Sequence, residues 1–269
     1  MESDAQSETL TLDLRMSHTS QLPNLIARLE RIEPKGPCVL AFDGDGTLWS
    51  GDVGEDFFHF AIARQLIRSA ALPALNDLAR AHQVPLHAEP NAQALALFGA
   101  FTNGRLPERT ACEMMAWCYA GWSPAALLQQ IQTALVEQRL ADRYFSPLRD
   151  VLSWARARGH RPVVVSASPH PVVVEAVRHL GFEAEDVAAG EMHAHEDLYT
   201  TAFKYPLPYA DTKVSALKRL AQDLPILAAF GDNVFDLEML REALVPVAVR
   251  PKAILTARLS ELAEYALLA

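Results

Sequence analysis

Short apolar runs alternate with segments of helical spacing through the second half of the chain. The apolar runs predict strands over 162–166, 183–189, 226–230 and 244–249. Helical periodicity predicts helices over 147–159, 169–180, 212–220 and 235–242, with a further helical segment from Lys252. Strands and helices that alternate in this way predict an α/β fold, in which a parallel sheet carries helices on both faces.

The first half of the chain has a different pattern. A helix over 21–30 and a proline-rich breaker precede one apolar run, which predicts a strand over 39–42. A long block without a convincing strand follows it, with helices predicted over 55–69, 73–81, 91–101, 107–119 and 123–136. Because this block starts at the end of the first strand, we expect it to form a helical cap over a crevice. The predicted domains are a flexible tail (1–22), a core (23–52 and 146–269) and a cap (53–145).

Composition and charge limit the class of function. The 269 residues are 50% hydrophobic, and the net charge of −9 gives no electrostatic basis for binding nucleic acid or an anionic membrane. No apolar run is long enough to span a bilayer. The three cysteines lack the spacing of a disulfide framework, which indicates reduced thiols. We therefore expect a cytoplasmic protein with a small-molecule ligand and no nucleic-acid or membrane partner; no oligomeric state follows from the sequence.

Asp43 and Asp45 follow the first strand directly, with a glycine after each. Because parallel strands bring side chains together at their carboxyl ends, we expect this pair to face a crevice. A calcium loop is excluded, since Leu48 occupies the sixth position, where such a loop needs glycine. Two interpretations stay open at this point. The pair forms an ordinary solvated turn, or it forms a magnesium site in which one carboxylate attacks a phosphoryl group and the other transfers a proton.

Other strand and helix ends supply candidate partners for this pair. Ser166 ends the second strand and suits a phosphate oxygen, whereas Ser168, which precedes a proline, is favoured as a helix cap. Lys213 lies in the first turn of a helix, where a cation opposes the helix dipole. This position predicts a nearby anion, although a solvated lysine fits the spacing nearly as well. Asp232 and Asp236 follow a later apolar strand, and with the first pair they predict a magnesium cage.

Together these four stretches resemble the motifs of the haloacid dehalogenase superfamily of phosphohydrolases, in its phosphoserine-phosphatase-like branch. The resemblance runs from about Gly36 to the C terminus, and the order and spacing of the motifs are more specific than any one of them. The matching positions are 43–48, Ser166, Lys213, and Gly231 and Asp232 with Asp236. The resemblance implies a Rossmann-like core with an inserted helical cap.

The resemblance also implies a mechanism. Asp43 would attack phosphorus to form an aspartyl-phosphate, while Asp45 would protonate the leaving oxygen and later activate water. Magnesium would be held by Asp43, the backbone carbonyl of Asp45, and Asp232, with Asp236 in support. The phosphoryl oxygens would be held by Ser166, the amide of Ala167, and Lys213. An acid at the place of Asp45 favours a phosphomonoesterase over a dehalogenase or an enzyme that cleaves carbon–phosphorus bonds.

The segment that leads into the cap predicts specificity. Asp52 lies nine positions after Asp43. In the phosphoserine phosphatases that this chain resembles, a glutamate at that offset meets the ammonium group of the substrate. Those enzymes follow their second-motif serine with two glycines, whereas Ser166 is followed by alanine and serine. The carboxylate of Asp52 still favours a cationic or hydroxylated leaving group and disfavours an extra anion. We therefore expect a small phosphomonoester of an amino alcohol or an amino acid, with Trp49 as an apolar wall. The alternative is that Asp52 only caps the next helix.

Two other functions stay open. A phosphotransferase of the same family would pass the phosphoryl group to an acceptor other than water, and a non-catalytic protein on this fold would only bind phosphate. The polar stretch with His193, His195 and Asp197 is typical of a surface hairpin in this family rather than of a zinc site.

Overall fold

A six-stranded parallel sheet forms the centre of the fold. The computed structural model describes residues 18–269. Its strands are β1 (Val39–Phe42), β2 (Arg161–Pro169), β3 (Val187–Gly190), β4 (Met192–His195), β5 (Leu198–Phe203), β6 (Ile226–Gly231), β7 (Val245–Val249) and β8 (Ala266–Leu268). The large sheet has the order β3-β2-β1-β6-β7-β8 with parallel pairing throughout, and β4 and β5 form a separate antiparallel hairpin. The predicted α/β, Rossmann-like class is confirmed.

Helices cover both faces of this sheet. The helices of the described chain are α1 (His18–Ile32), α2 (Val53–Ala63), α3 (Leu72–Ala81), α4 (Pro90–Thr102), α5 (Glu108–Trp117), α6 (Pro124–Glu137), α7 (Ser146–Ala157), α8 (His170–Arg178), α9 (Thr212–Ala221), α10 (Leu237–Arg241) and α11 (Ala253–Arg258). Helices α1, α7 and α8 pack on one face, and α9, α10 and α11 pack on the other. Among the described helices, none has the length and apolar character needed to cross a bilayer.

Strand β1 is buried on both faces, which explains its continuous apolar run. Leu40 and Phe42 face the core beneath α1, α7 and α8, whereas Val39 and Ala41 face the core beneath α9, α10 and α11. Phe42 stacks on Phe230 of β6, with ring centroids 4.4 Å apart. This packing fixes the end of β1, and therefore the position of the acid pair that follows it.

The structure differs from the predicted secondary structure in several places. Residues 184–186 form a 3₁₀ turn before β3 rather than the start of a strand, and α2 ends at Ala63 rather than near residue 69. The three-residue strand β8 was not predicted, because it is too short to show a periodic pattern. Helix α1 begins at His18, within the predicted tail. Residues 1–17 lie outside the described residues.

Helices α2 to α6 form an apolar unit over the carboxyl ends of the strands. Phe57 and Phe58 of α2 are buried there, as the periodicity of that helix predicts. Phe58 stacks on Phe98 of α4 with ring centroids 5.0 Å apart, and Phe57 meets Tyr119 edge-on. The aromatic residues of α2 therefore belong to the interior of the cap.

Two sets of backbone contacts join the cap to the core. In the connecting segments, the amide of Ser50 donates to the carbonyl of Arg143 (3.0 Å), and the amide of Phe145 donates to the carbonyl of Leu48 (2.9 Å). The β4–β5 hairpin adds a second connection, since the carbonyl of Tyr199 accepts from a cap amide at 2.7 Å. These contacts place the cap against the end of β1, where the acid pair lies.

Candidate active site

Asp43 lies directly after β1, and its carboxylate belongs to a buried ion-pair network. Lys213 Nζ, from the first turn of α9, lies 2.6 Å from Asp43 Oδ1 and 2.5 Å from Asp236 Oδ1. All three side chains are buried. The anion that the position of Lys213 predicts is thus present in the form of two carboxylates.

Negative charge is in excess in this network. Burial and the charge of Asp236 raise the pKa of Asp43 well above its usual range, against the opposing effect of Lys213. Burial acts to lower the pKa of Lys213, but Asp236 and Asp43 outweigh it and the net shift is upward. Burial and Asp236 also raise the pKa of Asp232. A cation bound among these carboxylates would relieve the repulsion between them.

Asp232 completes an acidic group that fits a metal ion. One carboxylate oxygen from each of Asp43, Asp232 and Asp236 lies within 4.8 Å of the others, and no other group of His, Cys, Asp or Glu within residues 18–269 is so arranged. Asp232 Oδ1 is buried without a hydrogen-bond partner. Both oxygens of Asp236 are already occupied, by Lys213 and by backbone amides of the loop after β6. Asp43 contacts Lys213 through Oδ1 and accepts from Thr47 Oγ1 at Oδ2, at 3.2 Å, so Asp232 Oδ1 is the oxygen of this group that has no partner. The three carboxylates together form a donor set that fits a small hard cation such as Mg²⁺.

Asp45 is held by neutral donors. Its Oδ1 accepts from Trp49 Nε1 at 2.8 Å and from the amide of Val53 at 2.7 Å. Its Oδ2 accepts from Ser168 Oγ at 2.6 Å. Burial raises the pKa of Asp45, and the three hydrogen bonds oppose that rise. A carboxyl group with a raised pKa, held by fixed donors, is suited to giving and taking a proton.

The loop after Asp45 requires glycine at position 46. Gly46 has a φ of +85°, and a Cβ there would lie 2.2 Å from Asp232 Oδ2. Arg250 Nη2 donates to the carbonyls of Gly46 and Thr47, at 2.8 and 3.1 Å. The backbone that carries the acid pair is thus held close to Asp232.

Ser166 and Ser168 lie near the end of β2, on alternate positions. Ser166 is buried, lines the cavity beside Ala167, and accepts at Oγ from the amide of Ser168 at 3.1 Å. The prediction that Ser168 caps the next helix is wrong, because α8 begins at His170 after a cap residue that makes no side-chain cap bond. Ser168 donates to Asp45 across 123 positions of sequence, a contact that local pattern cannot show.

The two predicted specificity residues have different positions. Trp49 is fully buried, donates to Asp45 and meets Tyr144 edge-on. It therefore lies behind Asp45 and not, as predicted, at the wall of the cavity. Asp52 caps α2 by accepting from the amide of Glu55 at 2.8 Å, and its side chain also lines the cavity. Burial and then the charge of Asp45 raise the pKa of Asp52 well above its usual range.

These side chains surround a cavity of about 80 Å³ between core and cap. The cap contributes only Glu108 and Cys112 to its described lining, one turn apart on α5. The core adds Tyr209 and Lys252, whose Nζ lies 3.1 Å from Asp232 Oδ2. The sequence did not indicate that these four residues line the cavity, because their place there depends on how the cap and the outer loops dock onto the sheet. For Cys112, the apolar helical pattern around it predicts only a packing role.

Comparison with known proteins identifies the class to which this fold and site belong. The haloacid dehalogenase-like hydrolase family matches residues 40–241. The chain therefore belongs to that family, as the order of its motifs predicts. No curated protein matches the sequence at the significance required.

Solved structures share the fold at low sequence identity. A protein of unknown function from Bordetella pertussis Tohama I is 18% identical with a TM-score of 0.67, over 87% of this chain and 99% of that one. A probable phosphoserine phosphatase from Vibrio cholerae is 15% identical with a TM-score of 0.56, over 83% and 59%. A phosphoserine phosphatase solved as a phospho-aspartyl intermediate analogue is 16% identical with a TM-score of 0.51, over 87% and 95%. At identities this low, the structural similarity shows a shared fold and no more.

Proposed function

We propose that this protein is a Mg²⁺-dependent phosphatase that hydrolyses a small phosphomonoester through an aspartyl-phosphate. The observation that carries the proposal is the different environment of the two acids after β1. Asp43 is in contact with Lys213 and close to Asp232, whereas Asp45 is held by neutral donors. A nucleophile needs charge neutralisation around the phosphoryl group, and a general acid needs a raised pKa.

In the first step, a carboxylate oxygen of Asp43 attacks phosphorus and the bond from phosphorus to the ester oxygen breaks. The proton of Asp45 passes to that leaving oxygen, so that the alcohol departs neutral. In the second step, Asp45 takes a proton from water as the water oxygen attacks phosphorus. The bond from Asp43 to phosphorus then breaks, and inorganic phosphate is released with Asp43 restored.

We assign the binding of the phosphoryl oxygens to three groups. Ser166 and Ala167 line the cavity at the end of β2, and Lys213 lines it in contact with Asp43. Asp236 acts through Lys213, since it holds the ammonium group and the loop after β6 in place. Their combined effect is in-line positioning, which is the main requirement of phosphoryl transfer.

A metal ion at this site would neutralise charge on the phosphoryl oxygens. Asp43 and Asp232 would hold it through their carboxylates, and Asp45 through its backbone carbonyl. The buried, unpartnered Oδ1 of Asp232 supports this assignment. Asp236 would support the site through its contacts with Lys213 and with the backbone amides of the loop after β6.

The test is a panel of phosphomonoesters, assayed for inorganic phosphate with Mg²⁺ and with excess chelator. We expect metal-dependent release from an aryl phosphate and from at least one small alkyl phosphate. A protein that binds phosphate and releases none would be a binding protein on this fold. Transfer of the phosphoryl group to an added alcohol in preference to water would indicate a phosphotransferase.

A further inference from the structure

The cap adds no positive charge to the cavity. Six carboxylates line it: Asp43, Asp45, Asp52, Glu108, Asp232 and Asp236. Against them stand two ammonium groups, of Lys213 and Lys252, and the described lining contains no arginine or histidine. A divalent cation and a phosphate dianion cancel each other, so the leaving group still meets an excess of negative charge.

Both ammonium groups pair with carboxylates of the core, and the charge of Lys252 also acts on Glu108. Lys213 is buried between two carboxylates. Lys252 Nζ lies 3.1 Å from Asp232 Oδ2, and the backbone amide of Lys252 donates to the backbone carbonyl of Asp232 at 2.8 Å. A carboxylate on the leaving group would therefore meet acids on the cap side whose like charge repels it, while the two ammonium groups of the cavity already pair with core carboxylates.

Glu108 and Asp52 both line the cavity. Glu108 lies in the first turn of α5, and Cys112, one turn later on the same face, also lines the cavity. Burial raises the pKa of the Cys112 thiol, and the charges of Asp52 and then Glu108 raise it further, as expected when both carboxylates lie close to it. The thiol is thus a neutral surface in the same cavity as the two acids, of the kind that suits the methylene groups of a small ammonium compound.

We propose that Glu108 is the specificity residue of the cap, and that with Asp52 it binds an ammonium group on the leaving group. The substrate class is then the phosphate monoesters of amino alcohols, and esters whose leaving group also carries a carboxylate are rejected. This inference rests on the proposed phosphatase function and narrows it, because it separates the amino alcohols from the amino acids.

The experiment compares kcat/KM for three esters: O-phosphoethanolamine, O-phosphoserine and glycerol phosphate. For the unmodified enzyme we expect O-phosphoethanolamine to exceed both others by about tenfold or more. Glu108→Gln should reduce the preference for O-phosphoethanolamine over glycerol phosphate about tenfold, mainly by raising the KM for O-phosphoethanolamine. Glu108→Arg should raise kcat/KM for O-phosphoserine. The matched control is Glu113→Gln on the same helix, since Glu113 pairs with Arg109 at 3.3 Å and does not line the cavity. This variant should change no ratio.

Two results would overturn the inference alone. One is an unmodified enzyme that hydrolyses O-phosphoserine as well as O-phosphoethanolamine. The other is an equal loss on charged and neutral esters in Glu108→Gln, which would leave Glu108 a helix-stabilising residue at the start of α5. Failure to release phosphate from any ester, aryl phosphate included, would overturn the phosphatase function and the inference together.

Discussion

The core lines the cavity mainly with side chains at or just after the carboxyl ends of β1, β2 and β6, whereas the cap contributes two side chains from one helix. On the core wall, each charged group has a fixed partner, as Asp43 and Asp236 have in Lys213. On the cap wall, Glu108 is exposed at the start of α5 and has no ion-pair partner among the described residues. Under the proposed function, the core wall would carry the reaction and the cap wall would contact the leaving group.

The largest effect should come from Asp43→Asn. We expect turnover to fall by at least about 10³-fold, because the covalent route is lost. Thermal unfolding in chelator should not show a lower midpoint, since burial and Asp236 already raise the pKa of Asp43 and make its charge costly. Readily detected phosphorylation of this variant would contradict the assignment of Asp43 as nucleophile.

Asp45→Asn should have the next largest effect, a fall in kcat of about 10²- to 10⁴-fold. The loss should be smaller for aryl phosphates, whose leaving oxygen needs less help from a proton. The measurement is kcat for an aryl and an alkyl phosphate with the same variant. Equal losses for the two esters would remove the general acid role from Asp45.

Asp232→Asn tests the metal site on the core wall. We expect a Mg²⁺ affinity about 10- to 100-fold weaker by calorimetry, because Asp232 Oδ1 is the buried oxygen that lacks a partner. Excess chelator should abolish phosphate release and Mg²⁺ should restore it, while Ca²⁺, which prefers a larger shell, should support it poorly. Full activity in chelator would exclude the metal from the reaction.

The sequence predicts the core wall of the cavity better than the cap wall. The apolar run of β1 and the acids after it could be predicted, since strand, turn and carboxylates are contiguous. The position of Lys213 against the helix dipole was a second local signal, and the structure places an anion beside it. The contact from Ser168 to Asp45 and the place of Glu108 could not be predicted, because they depend on side-chain direction and on the docking of the cap.

Ser168→Ala should have an intermediate effect and a distinct pH signature. The hydroxyl of Ser168 donates to Asp45 and opposes the rise in pKa that burial causes. Removing that hydrogen bond should raise the pKa of Asp45, so Asp45 stays protonated to higher pH. The limb of the kcat profile that reports the protonated acid should then move to higher pH by about one unit. We expect kcat at neutral pH to fall about 10- to 30-fold, because Asp45 loses a donor that orients it. If kcat falls while the limbs of the pH profile stay at the same pH, Ser168 has a packing role only.

The smallest effect should come from Asp52, which lies where the two walls meet. Asp52→Asn keeps a side chain that caps α2 and removes the charge, whereas Asp52→Ala removes both. We expect Asp52→Asn to lower kcat/KM for an aminated ester about fivefold, to leave a neutral ester nearly unchanged, and to preserve the free energy of unfolding. Asp52→Ala should add a loss of about 1 kcal/mol in that free energy, measured by urea unfolding. Equal losses of kcat/KM on the aminated and neutral esters in both variants would make Asp52 a structural residue, and the preference for an ammonium group would then depend on Glu108 alone.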